Sequence, residues 1–458
     1  MALEISPGTK AMPMPDANTG RSGGGRVDRR RSPERASAAL ANRRATMSLL
    51  KGIGLILVFS LVLFPEYESL EGSASRIYGT AIFGFRWIDL LLFGVCAFQL
   101  LAAIGPLSRR QIVPPTMRAP IAVFAAAIAI ATLYGYVQGG VHIFFDWRNL
   151  LLGAGLTFCF ACWIRTPEEL YEVARIFALT IGVATMFFLW RFLVGGYGTM
   201  QAVRGVKTPL WDGAVLHAAV VLALLAFRFS LVEESRLWKI ACGGLALAES
   251  LLVMLSLRRT YWGELAVGMT LLLILVKRRR LVIAVLTATL ILALSFAGKH
   301  VLARAESFDI FAAGESPYTR TNAGHVGDVL DAWDHIKENP VMGIGLARPY
   351  KTKRIRFWKT ESWGVHNALL HTWLLYGLLG LIGYVWFHTR LLGWLSRTQR
   401  MIKHPAVRAF SQVALASVAG TFVMSLGFTP WPYGSLQRNV VAAFILGSLF
   451  SVVRGPEM

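Results

Sequence analysis

Apolar runs of roughly 16 to 22 residues recur along this chain, and each is about long enough to cross a bilayer as a helix. They cover 47–64, 87–106, 119–138, 149–163, 175–194, 213–229, 238–257, 261–276, 281–297, 367–388, 409–428 and 438–453. In hydrocarbon every backbone N–H and C=O must find a partner within the protein, which leaves helices as the natural form for such runs. The pattern predicts an all-α polytopic membrane protein with about twelve transmembrane helices. Composition agrees. Hydrophobic residues make up 55% of the chain and charged residues 16%, against roughly 25% charged in soluble domains. A soluble globular enzyme and a disordered chain are both excluded.

The runs divide the chain. Residues 1–46 are rich in Gly, Ser, Pro and Arg and cannot bury a core, which predicts a disordered basic cytoplasmic tail. No small-residue cleavage site follows 47–64, so this run reads as a retained signal anchor. Spans one to nine occupy 47–297, a long polar loop covers 298–366, and the last three spans lie in 367–458. The net charge of +21 would suggest nucleic acid in a soluble protein. Here it follows topology. With the N-terminus inside, 28 of the 47 basic residues fall on the cytoplasmic side and 9 in short outer segments. The other 10 sit in the long loop, which is too long for the rule to apply. The prediction is N-in and C-in, with 298–366 in the periplasm and no nucleic-acid partner.

The short-loop outer minority is informative because orientation does not explain it. Arg191 lies at the outer end of the fifth span, Arg204 in the following loop, and Arg258 and Arg259 at the end of the seventh. Snorkelling to lipid phosphates accounts for any one of them. Together they suggest an outer-face site for a phosphorylated ligand, since the planar guanidinium binds phosphate through two hydrogen bonds. In the long loop, Val326, Val329, Leu330, Trp333 and Ile336 recur at helical spacing and Asn339-Pro340 ends the run. Asp328, Asp331 and Asp334 read as the solvated face of that helix. His366 stands at the mouth of the tenth span, with His371 about one turn deeper. Cys159 and Cys162 form a CxxC inside an apolar run and read as core packing.

Three blocks carry a resemblance to a known family. They are Arg204-Gly205 before a span opening at Gly213, Ser256-Leu-Arg-Arg259 between two spans, and the long loop with its exit. That exit reads Asn339-Pro-Val-Met-Gly-Ile-Gly345, then His366-Asn367, nine residues, and Gly377-Leu-Leu-Gly380. The blocks resemble the O-antigen ligase and polymerase superfamily of polytopic glycan transferases. The resemblance implies a GT-C-like helical fold in a bacterial inner membrane and a glycan donor linked to undecaprenyl diphosphate. It implies lipid A-core or a growing polysaccharide as acceptor. His366 matches the family's base, Arg259 and Arg204 its diphosphate-holding arginines, and Arg320 a further arginine. After Arg204 this chain reads KTPLWDG where relatives often carry a Pro-Asn pair.

A sugar diphosphate already carries a good leaving group. The enzyme has to stabilise negative charge on the diphosphate and accept a proton from the acceptor hydroxyl. Arginines and one histidine suffice for that, and no DxD or HExxH pattern suggests a metal or other cofactor. The loop helix would then be a lid over the donor. A flippase or transporter is the alternative outside catalysis, with Glu249 as the clearest ionisable residue deep in a span.

Overall fold

The computed structural model describes residues 51–56, 81–82, 85–107, 113–139, 143–194, 202–203, 206–207, 213–256, 258–276, 279–306, 317–346, 348–353, 361–362, 365–426 and 436–453. They belong to one compact unit, Leu50–Met458. The tail 1–46 and most of the run 47–64 lie outside the described residues.

The described chain is helical. In order the helices are α1 (Trp87–Leu107), α2 (Pro115–Val137), α3 (Ile143–Trp163), α4 (Pro167–Val194), α5 (Gly213–Val232) and α6 (Arg236–Leu255). They continue with α7 (Arg259–Leu275), α8 (Arg279–Glu306), α9 (Pro317–Glu338), α10 (Ala368–Met401), α11 (Pro405–Met424) and α12 (Leu436–Val452). Three antiparallel pairs of two-residue strands are the only extended pairings among the described residues. Four helices (α2, α6, α10 and α11) are long and apolar enough to cross a membrane, and shorter apolar segments lie in α1, α3, α5, α8 and α12. The protein is a multi-pass membrane protein whose described residues are predominantly helical. α8 runs on to Glu306 and α10 to Met401, both past the ends of their apolar runs.

Pro115, Pro167 and Pro405 open helices at the position where a missing N–H costs nothing. α5 is apolar nearly all round, so it belongs in the middle of a bundle rather than at its edge. Leu216 to Phe227 of α5 are buried almost without interruption, and α6, α7 and α11 pack around them. Cys159 lies in the same core with Cys96 beside it, and the cysteines are free thiols.

α10 is the helix that shapes the candidate site. Asn367 caps it, its side-chain oxygen accepting the Leu370 N–H at 3.0 Å. Three turns in, the helix breaks at Gly377, where φ is 66° and ψ −169°. That backbone is open to glycine and strained for other residues. A Cβ at Gly377 would also overlap the Val341 carbonyl of the Asn339–Gly345 turn, which fits into the break. Gly377→Ala is therefore expected to lose at least ~1–3 kcal/mol from backbone strain, before any overlap is counted. A thermal melt of the purified protein checks it, with Gly393→Ala of the same helix, where a Cβ meets only ordinary contact, as comparison.

Candidate active site

The site forms where helix ends gather at one end of the bundle. The Ala368 N–H donates to the Ser425 carbonyl at 2.7 Å, and the Asn367 amide donates to Leu426 O at 3.0 Å. The start of α10 is thereby fixed to the end of α11. α9 lies across the same region. Ala332 and Ile336 pack with Tyr350, Val365 and Leu374, so the loop helix is docked on α10. Leu330 and Trp333, expected on its apolar face, stay exposed.

Docking brings Asp328 under His366, and the reading of Asp328 and Asp331 as a solvated face is overturned: each is 2% exposed. Asp328 Oδ2 accepts from the His366 backbone N–H at 2.8 Å and lies 3.0 Å from His366 Nδ1. The Tyr350 hydroxyl donates to Asp328 Oδ1. Burial alone would raise the Asp328 carboxyl. The bonds from the His366 ring, the Tyr350 hydroxyl and the His366 amide outweigh it and hold the group below the usual carboxylate range. An ionised carboxylate only accepts hydrogen bonds, so the proton between the two groups belongs on His366 Nδ1. Nε2 is left as the basic nitrogen of a half-exposed ring. The His325 ring stands edge-to-face on His366, with centroids 4.3 Å apart. Asp331 accepts the Lys353 N–H at 3.0 Å, which ties the chain after Tyr350 to α9. Asp334 remains on the outer face, paired with Lys337 at 2.7 Å. His371 is buried one turn into α10, and its Nδ1 accepts the Val365 N–H at 3.3 Å. It braces the residue before His366.

The second cluster is the junction of α6 and α7. Arg258 takes the cap position of α7 and Arg259 its first turn. Side-chain hydrogen bonds tie the two helix ends. Ser256 Oγ donates to Val253 O at 2.6 Å and accepts the Arg258 N–H at 3.3 Å. The Trp262 indole folds back to the Val253 and Met254 carbonyls, 3.1 Å from each. Two guanidinium groups at the positive end of a helix make a favourable place for an anion. One turn below, His217 of α5 and Thr421 of α11 converge on Glu264 Oε1 of α7, at 2.7 and 3.2 Å.

The other expected site residues are placed by backbone alone or not at all. Arg191 lies near the end of α4 and Arg320 in the first turns of α9, with side chains outside the described residues. Arg204 lies outside them, between the paired strands Ala202–Val203 and Val206–Lys207. Among the described residues no group of three or more His, Cys, Asp and Glu could hold a metal ion. Glu249 is wholly buried within α6. Tyr350 and His325 are members of the site that the sequence reading does not single out, and Asp328 is one that it places on a solvated face.

Residues 244–385 match the family model described as O-antigen ligase. The match runs from within α6, across the two arginines and α9, to the part of α10 beyond Gly377. No curated protein matches the chain.

Proposed function

We propose that the protein is a membrane glycosyltransferase that moves a glycan from undecaprenyl diphosphate to an acceptor sugar hydroxyl. The observation that carries the reading is the Asp328–His366 pair, which leaves a basic ring nitrogen at the edge of the bundle inside the family-matched segment. His366 Nε2 accepts the proton of the acceptor hydroxyl as its oxygen bonds to the anomeric carbon. The bond from that carbon to the diphosphate oxygen breaks, and the diphosphate leaves with the bonding pair. Arg259 and Arg204 stabilise the charge that develops on it, and Arg191, Arg258 and Arg320 help to bind the donor. Attack opposite the leaving group inverts the anomeric centre. The roles of base and anion holder are met by side chains, so the reading uses no metal or cofactor.

The same reading places the chain in a bacterial inner membrane with about twelve spans, both termini cytoplasmic and 298–366 in the periplasm. Of the superfamily's two activities we favour ligation of O-antigen to lipid A-core, because the His-Asn-x9-Gly-x-x-Gly arrangement resembles the ligase motif. Polymerisation is the second reading. Deleting the gene separates them on a polysaccharide gel. Intact core without long chains, together with accumulated lipid-linked polymer, marks a ligase; core carrying one repeat marks a polymerase. Unchanged lipopolysaccharide and exopolysaccharide would count against both.

The arginine role has its own test. Arg259→Lys keeps the charge and loses the planar fork. It is expected to lower transfer in proteoliposomes by roughly 10²-fold, the scale of one missing charge-stabilising donor. Wild-type kinetics would instead make Arg259 a snorkelling residue.

A further inference from the structure

The Asn339–Gly345 turn lies deeper than a surface loop should. The Ile344 N–H donates to Leu374 O at 2.7 Å, and the Leu378 N–H donates to Val341 O at 3.1 Å. Leu374 and Leu378 are six and ten residues into α10 from Ala368. At 1.5 Å per residue, the turn meets α10 about 9–15 Å below its start. On its other side the Leu346 N–H donates to Ala131 O at 3.0 Å, six residues before the end of α2 at Val137. That is again about 9 Å below a helix end. The turn is thus wedged between two helices that are each long and apolar enough to span. Gly345 and Gly135 meet with no room for a Cβ on either.

Irregular backbone at membrane depth survives only where the protein satisfies its polar groups. Several of this turn's backbone groups meet that condition. Its amides at 344 and 346 are bonded as above, the Gly343 N–H reaches Asn339 O at 2.9 Å, and the Trp373 indole donates to Pro340 O at 2.8 Å. The break at Gly377 is the reciprocal half of the fit, since it opens the α10 groups that the turn bonds. The side chains agree. Turns facing water are rich in polar residues, whereas this one reads Pro-Val-Met-Gly-Ile-Gly-Leu. Lys337 and Glu338 precede it and Arg348 follows, so charges stand at both exits and none lies within. Val341 is 64% exposed and Met342 is exposed too, beside the exposed Leu378, Leu379 and Ile382 of α10. The outward face of the turn continues the outward face of a spanning helix.

We infer that Pro340–Leu346 is a re-entrant turn whose Val341 and Met342 lie against the hydrocarbon of the bilayer. It forms a membrane-contacting surface that sets the depth of Tyr350 and the Asp328–His366 pair. This surface stands on that packing and does not require the transfer reaction proposed above.

The test is collision accessibility of a nitroxide in proteoliposomes of phosphatidylethanolamine and phosphatidylglycerol, using the full chain. Val341→Cys and Met342→Cys are labelled separately, and the parent chain gives the background of the four native cysteines. Ile382→Cys is the lipid-facing reference and Lys337→Cys the aqueous one. The expected result is a label at 341 or 342 that relaxes faster with oxygen, and slower with a water-soluble nickel chelate, than the label at 337, approaching 382. Chelate accessibility at both positions equal to that at 337 would overturn the inference, as would protection from both reagents, which would place a protein partner there. If Val341→Cys does not fold, Met342→Cys decides alone.

Discussion

His366→Ala is expected to lower glycan transfer by roughly 10²–10⁴-fold, the usual worth of a positioned base, while leaving the protein folded. The ring is half-exposed and its removal opens no large cavity. Asp328→Asn is the sharper experiment. Its amide keeps an oxygen to accept the His366 N–H, so the turn can hold its shape. The His366 backbone N–H and Nδ1 both face Oδ2, so an amide oxygen there still accepts from both, and what the variant removes is the charge that stabilises the imidazolium. A loss of up to about 10²–10⁴-fold in kcat with KM little changed is expected, because the base is weakened while substrate contacts remain. Wild-type transfer in both variants, measured from lipid-linked glycan in proteoliposomes, would remove His366 from the chemistry. The carboxylate also makes a pH prediction. Asp328 is held below its ordinary value in the folded chain, so its contribution to docking α9 is complete above the unfolded value of about 4. It is lost as pH falls through the lower folded value. Acid should therefore weaken the wild type more than Asp328→Asn when melting temperature is followed from pH 6 downward.

The helices were legible because the length of an apolar run is a direct physical requirement of the bilayer. Their ends were not. α8 and α10 continue as helices into polar sequence, where hydropathy stops but hydrogen bonding does not. Asn367 could be read as significant from its place beside His366, yet its work as a cap depends on Leu370 folding back onto it. The acidic residues of α9 misled for a definite reason. Three aspartates at spacing three look like a wetted face, and the apolar positions chosen as the buried stripe included Leu330 and Trp333. The buried stripe is rotated from that one and passes through Asp328, Ala332 and Ile336, which are spaced by four. That spacing was present in the sequence and points to a carboxylate on the docking face. Tyr350, by contrast, sits 22 residues from Asp328 across a turn, and no local pattern could join them. The two glycines of the Gly-x-x-Gly motif separate in the same way. Gly377 carries the break that receives the turn, a role visible only once Val341 is seated against it.

Glu264→Ala is expected to destabilise the protein by about 1–3 kcal/mol or more, the cost of leaving buried polar groups without their acceptor. Glu264 is fully buried and faces His217 at 2.7 Å. Truncation strips a buried histidine and a threonine of their shared acceptor and opens space beside Gly420, where α11 packs against the Glu264 backbone. Glu264→Gln keeps an oxygen for both neighbours and should lose much less. The consequence extends beyond stability because of where the three helices lead. α7 begins with Arg259 five residues above Glu264. α11 ends four residues above Thr421 at Ser425, whose carbonyl holds Ala368 next to the His366 turn. α5 follows the segment containing Arg204. The one carboxylate oxygen therefore fixes the arginine-bearing helix against the helix end that seats the base. A displacement on the order of 1 Å between an anion holder and a base can cost about 10²-fold in rate. The glutamine variant should accordingly restore most of both properties lost in the alanine variant, melting temperature in detergent and transfer in proteoliposomes. An alanine variant that melts and transfers like the wild type would show the three helices to be held by apolar packing alone.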